Sequence, residues 1–317
     1  MNNEIGISFV SYYLPNKKKD LITLDRENKL DSDVEKLSAL GFNHAFVAEN
    51  ESHIDLAKKA IKKTLKESGI SPEEIDLFVF SGALPGSVLV EQSNEGQSLD
   101  IFKYSASKLQ YDFGLNRANV VAISQQGCGS LMSAVWLARN TLLAEKKMEN
   151  ALIVSSDVLP KWSKREMIYN VISDGSCAAI VKKRSLVNKI ISYSQITKGY
   201  YWDPLAKKNE LIAAYFPTAK IAIGKALEKS GLKLSDIDWI IPHNVSIRSW
   251  EILLKLLKFP EEKFYSGNIL TKGHTIAADN FINLKDATDD GLIKKGQKML
   301  LFTFGFGANW SSLILEH

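Results

Sequence analysis

The chain has little cysteine, two residues in 317, Cys128 and Cys177. Two cysteines build no disulfide framework and offer no metal-ligand spacing. That excludes a stapled secreted scaffold and a zinc module, so no metal is expected and a reducing cytoplasm is the expected location. No apolar run approaches the roughly 18 residues a membrane helix needs. The start, "MNNEIGISFVSYYLP", lacks a basic segment ahead of an apolar core, so no signal peptide and no membrane association are expected. Charge of one sign is scarce as well. Forty Lys and Arg against 36 Asp and Glu leave a formal +4, and the lysines alternate with acids along helices, as in "KKAIKKTLKESG". That is a solvated helix face, not a nucleic-acid patch. Histidine is rare too, with five in all.

What is present is an internal repeat. Residues 57–76, "AKKAIKKTLKESGISPEEID", and 219–238, "AKIAIGKALEKSGLKLSDID", agree at ten of 20 positions without gaps. Each copy predicts an amphipathic helix stopped by a glycine, where a left-handed cap is cheap, then an acidic turn and an apolar strand, "LFVFSG" or "WIIPHN". Strands apolar on both faces belong to a sheet covered by helices on each side. The following units, from "NVVAISQQGCGSL" and from "KFYSGNILTKGHTIAADN", both predict strand, turn, helix, strand. The chain therefore reads as two equivalent α/β halves packed in layers. The repeat breaks within residues 182–218. The halves are placed at 1–185, carrying Cys128, and 186–317, carrying His243 and His274.

Chemistry in such a fold gathers at the carboxyl ends of strands. Cys128 lies between Gly127 and Gly129, after "NVVAIS" and at the start of an all-round apolar helix. A helix start favours a thiolate. His243 follows "DWIIP" at the end of the matching strand of the second half. His274, in "KGHTIAAD", falls on the turn that corresponds to the cysteine turn. A thiol and two imidazoles make a nucleophile-plus-electrophile set for thioester chemistry. "TFGFGANW", residues 303–310, can turn backbone N–H groups toward an oxyanion.

Five segments in order, "GCGSLMSAV", "SDGSCAAIV", "PHNVSIR", "GHTIAA" and "FGFGANW", resemble the thiolase-fold condensing enzymes, and among them β-ketoacyl-acyl-carrier-protein synthase III. The resemblance spans nearly the whole chain. It implies a five-layered αβαβα fold from two duplicated halves, a homodimer, and a cysteine that is acylated by a thioester. On its motifs Cys128 is the nucleophile, His243 and His274 hold the thioester carbonyl, and the amides of Cys128 and Phe306 form the oxyanion site. Ser246 and Arg248 are substrate-binding, and acyl-pocket and dimer contacts are expected in residues 85–114. His274 stands where the family commonly has Asn, and Phe306 where it has Gly. Residues 37–50, "LSALGFNHAFVAEN", lack the Trp and Arg with which coenzyme-A-using members hold their donor.

The expected activity is decarboxylative Claisen condensation with a malonyl-type thioester, giving a 3-oxoacyl product in fatty acid or polyketide biosynthesis. No cofactor is expected beyond the phosphopantetheine or coenzyme A that carries the acyl groups, and the expected partner is acyl carrier protein. Two alternatives stay open. One is an acyltransferase of specialised metabolism that passes the acyl group to an amine, hydroxyl or thiol. The other is a non-catalytic partner subunit of an active paralogue.

Overall fold

The structure is a computed structural model and describes residues 4–84 and 102–317. Residues 85–101 of the expected acyl-pocket and dimer segment lie outside the described residues. In chain order the strands are β1 (Ile5–Tyr13), β2 (Lys18–Asp20), β3 (His44–Phe46), β4 (Leu77–Ser81), β5 (Asn119–Ile123), β6 (Asn150–Asp157), β7 (Glu166–Met167), β8 (Asn170–Val171), β9 (Gly175–Lys183), β10 (Lys189–Thr197), β11 (Trp239–Ile241), β12 (Lys298–Gly305) and β13 (Asn309–Glu316). The helices are α1 (Leu21–Arg26), α2 (Val34–Ala39), α3 (His53–Ser68), α4 (Ser105–Asp112), α5 (Ser130–Ala144), α6 (Lys208–Ser230), α7 (Ile247–Leu257), α8 (Gly267–Lys272) and α9 (Asp279–Asp289).

Nine strands form the main sheet, in the order β11–β12–β13–β10–β1–β9–β6–β4–β5. Its two halves meet at one register pair, Gly6 with Lys189. In the first half β5, β4 and β6 run parallel, and β9 and β1 follow antiparallel. In the second half β11 and β12 are parallel, and β13 and β10 follow antiparallel. The two halves thus repeat one pattern, as the duplicated sequence predicts.

The strand expected around "KFYSG" departs from it, because only Phe264 bridges Ile240. A 3-10 turn at Glu261–Lys263 precedes Phe264, and α8 begins at Gly267, so no length remains for a ladder.

The repeated helices occupy equivalent places. The first, α3, packs on β1 and β9, and α6 packs on β10 and β13. They stop at Gly69 and Gly231, at φ 70° and 69°, the left-handed values that glycine adopts without strain. Between the inner faces of the half-sheets lie α5 and α9. One core joins Val79, Ile153 and Ala179 of the first sheet, Leu131 and Val135 of α5, Phe281 and Leu284 of α9, and Leu301 and Leu313 of the second sheet. Outer cores under α3 and α6 complete five layers. Because α5 is covered on both sides, it is apolar nearly all round.

Candidate active site

The first chemical group comes off the end of β5. Gln125 and Gly127 take positive φ, 63° and 51°, turning the chain into a 3-10 turn at Gly127–Gly129 that runs straight into α5. Cys128 lies in that turn, half-buried. The loop after β12 packs directly on it. A methyl group on Gly305 would stand 2.7 Å from the Cys128 amide nitrogen, and one on Gly127 would stand 2.5 Å from that of Phe306. Only glycines let the two backbones approach this closely, so the turn that carries Cys128 and the loop that carries Phe306 lie against each other. Cys128 packs against a small buried cluster of Leu159, Ile172 and Ile276, on which Leu84 and Met167 also rest.

His274 belongs to a loop held by the "SDG" segment of the first half. Its amide donates to the Val171 carbonyl at 3.1 Å, and its carbonyl accepts from Ser173 N at 2.9 Å. Asp174 of the same segment is spent on structure, pairing with Arg165 at 2.8 Å and accepting from the amides of Ala48 and Leu159. So anchored, His274 Nε2 lies 3.4 Å from Cys128 Sγ. On the other side its Nδ1 meets Asp279 Oδ2 at 2.5 Å. Burial alone would lower the pKa of His274. The Asp279 carboxylate and the Cys128 sulfur, through charge and hydrogen bonds, outweigh burial and raise it well above the usual histidine value.

His243 is the opposite case. It lies beyond Pro242 at the end of β11, fully buried, with its ring 6.3 Å from that of His274. Its Nδ1 lies 3.1 Å from the Phe302 carbonyl, which also accepts from Asn280 Nδ2 at 3.0 Å. A carbonyl only accepts, so Nδ1 carries the proton. Burial, and then the charge of His274, push the pKa of His243 down to about 4. The ring is therefore neutral at pH 7 and Nε2 is a bare lone pair. That atom is buried with no partner among the described residues. Leaving such an acceptor unmet costs about 1–3 kcal/mol, a deficit that a substrate donor removes.

Cys128, His243 and His274, from turns far apart in sequence, thus converge on one place. Two further candidates do not join them. Ser246 caps α7, its hydroxyl accepting from Ser249 N at 3.3 Å. Arg248, in the first turn of α7, is largely exposed and paired with Glu251 at 2.7 Å. Cys177, inside β9, is fully buried, and burial pushes its thiol up, away from ionisation. Sequence reading passed over Asp279. The signal available for it was an acid five residues after a histidine, at a helix start.

A family model for 3-oxoacyl-[acyl-carrier-protein] synthase III matches residues 124–199, and one for its C-terminal part matches 227–317. The two together span more than half of the chain and contain Cys128, His243, His274 and Asp279. The β-ketoacyl-[acyl-carrier-protein] synthase III of Clostridium tetani is 27% identical over 349 residues, covering 99% of both chains. That of Aquifex aeolicus is 24% identical over 318 residues, covering 96% of this chain and 97% of the other. The crystal structure of the Aquifex aeolicus protein superposes with TM-score 0.83 over 99% of this chain and 100% of that one. An acyltransferase, ChlB3, shares the fold with TM-score 0.84 at 19% identity, covering 99% of this chain and 97% of its own.

Proposed function

Because the chain belongs to the 3-oxoacyl-[acyl-carrier-protein] synthase III family, we propose that it joins an acyl group to a malonyl-type thioester with loss of CO2. The observation that carries this is the 3.4 Å contact of Cys128 Sγ with a histidine whose proton is held in place from behind. The half 1–185 supplies Cys128, and the half 186–317 supplies both histidines. The Cys128 thiolate attacks the donor thioester, and the tetrahedral oxyanion rests on the amides of Cys128 and Phe306. Collapse expels the carrier thiolate, which takes the His274 proton. His274 regains a proton from solvent and donates it in a hydrogen bond to the malonyl thioester carbonyl. Decarboxylation leaves an enolate that attacks the acyl-Cys128 carbonyl. The thiolate of Cys128 departs, and a 3-oxoacyl thioester is released.

A second reading has its own observation behind it. A bare Nε2 on His243 accepts a proton rather than donating a hydrogen bond. That suits transfer of the Cys-bound acyl group to an amine, hydroxyl or thiol of specialised metabolism, with His243 as base. The convergence of Cys128 with two histidines speaks against a non-catalytic partner subunit.

Residues 37–50 bear on the donor. Leu37, Phe42, Ala45 and Val47 are packed into a small core with α1, so this segment is spent on folding. We therefore place the donor on acyl carrier protein. Arg248 meets its phosphopantetheine phosphate, and Ser246 caps the helix that carries Arg248. Intact-protein mass spectrometry with matched panels of donors is expected to show faster Cys128 acylation from carrier-protein thioesters. Equal or faster transfer from coenzyme A thioesters would overturn this assignment.

The enzyme is placed in the cytoplasm, and among the described residues no helix is long and apolar enough to cross a membrane. We also place it as a homodimer. The main sheet ends on β5, whose Val120 and Val121 are 37% and 36% exposed on opposite faces. An apolar edge strand that no described residue covers is a template for pairing, which β5 of a second copy across a two-fold axis satisfies. Light scattering at micromolar concentration is expected to give twice the 35.3 kDa chain mass. Val120→Lys should shift it toward monomer. A monomeric wild type would refute the dimer.

A further inference from the structure

Asp279 begins α9 and is fully buried, yet neither its sequence context nor the family match assigns it a task. Its two oxygens meet four groups. Oδ1 accepts from the Thr275 amide at 2.6 Å and the Thr275 hydroxyl at 2.5 Å. Oδ2 accepts from the Asn244 amide at 2.6 Å and meets His274 Nδ1 at 2.5 Å. Asn244 directly follows His243, and Thr275 directly follows His274. One carboxylate therefore ties both histidine loops to the start of a single helix, where the helix dipole favours its negative charge.

We propose that Asp279 is the positioning residue of the site, fixing His274 between itself and Cys128 as a doubly protonated ring while anchoring the loop of His243. This deepens the condensing reading, which supplies the role of His274. The order Cys128–His274–Asp279 is nucleophile, proton carrier and orienter, the logic by which a third group fixes the ring that serves a nucleophile. Asp279 acts on the reaction only through His274. It keeps a proton on Nδ1, so that the proton on Nε2 faces the sulfur. The ring is then held against the sulfur before any substrate arrives.

Among the described residues, the titratable groups that face His274 are Asp279 from α9, Cys128 from the turn before α5 and His243 from the end of β11. Tyr215 of α6 faces Cys128, and burial raises its hydroxyl away from ionisation. Of these, Asp279 is the one that brings negative charge to the far side of the ring.

Alkylation of Cys128 by iodoacetamide, followed against pH without any acyl substrate, tests the assignment independently of the condensing activity. Cys177 is buried and stays unlabelled. In Asp279→Asn the rate at pH 6 should fall by about tenfold or more, the effect of losing roughly 1.4 kcal/mol or more of pairing. At pH 9.5, where a thiol ionises unaided, the rate should stay within about threefold of wild type. Equal losses at both pH values, or no loss at either, would overturn the proposal.

A second measurement uses the wild-type protein, so it decides even if the variant does not fold. With 15N-labelled histidine, His274, assigned by its disappearance in His274→Asn, should keep protons on both ring nitrogens at pH 7.5. A ring that titrates near the ordinary value of about 6.5 would refute the role of Asp279. Condensation failing while these results hold would overturn the reaction and leave the positioning residue in place.

Discussion

Cys128→Ala is expected to abolish covalent loading by every acyl thioester, while Cys177→Ala loads as wild type does. The two cysteines differ in what surrounds them. Cys128 stands in a turn that feeds α5, against His274 Nε2 and beside the amides of two converging loops. Cys177 is sealed inside β9, where burial disfavours its thiolate. The thiolate is the nucleophile, so only the first site forms a thioester. Intact mass after incubation with donors, followed by peptide mapping, reads the result. A Cys128→Ala protein that still gains the acyl mass would remove the nucleophile from the mechanism, and loss of loading in Cys177→Ala would transfer the role.

The second large effect belongs to His274. Its alanine variant should release CO2 from a malonyl thioester on the order of 100- to 1000-fold more slowly, the usual result of losing one oxyanion donor. It should also acylate more slowly, because the ring touches the sulfur. His274→Asn keeps an N–H₂ donor but cannot hold a charge, so decarboxylation should recover much of its rate while acylation stays slow. The pH profiles separate the two further. A raised pKa means that the His274 donor is present at low pH and lost as pH climbs through the folded value. Wild-type decarboxylation should therefore hold past the ordinary histidine range, near about 6.5, and fall at higher pH. The Asn variant has no such group and should show no fall. Carbon dioxide release and acyl loading, measured on the same samples, check both claims. A wild type that acylates readily, releases no CO2 from any malonyl thioester and passes its acyl group to an amine or alcohol would overturn condensation. It would establish acyl transfer with His243 as base.

The duplication, the glycine caps, the buried middle helix and the meeting of Cys128 with His243 and His274 were legible in the sequence alone. Each is written in local periods: 3.6 residues for helices such as α3 and α6, apolar runs for covered strands, and glycines where a backbone must turn or approach. Equivalent positions in two copies of one pattern then converge because the copies pack as pseudo-equivalent layers. Tertiary structure alone decided the rest. That His274 is a charged donor and His243 a neutral acceptor depends on which group faces each Nδ1. The partners are the Asp279 carboxylate and the Phe302 carbonyl, and the Phe302 carbonyl lies 59 residues along the chain from His243. The shrinkage of a predicted strand to the single Phe264 bridge depended on a turn and a helix competing for the same residues. Arg248 in an ion pair with Glu251, and Ser246 as a helix cap, are likewise outcomes of orientation. Periodicity places a side chain on a face. Hydrogen-bond polarity and charge pairing are set across space, by groups whose distance along the chain carries no information about their contact.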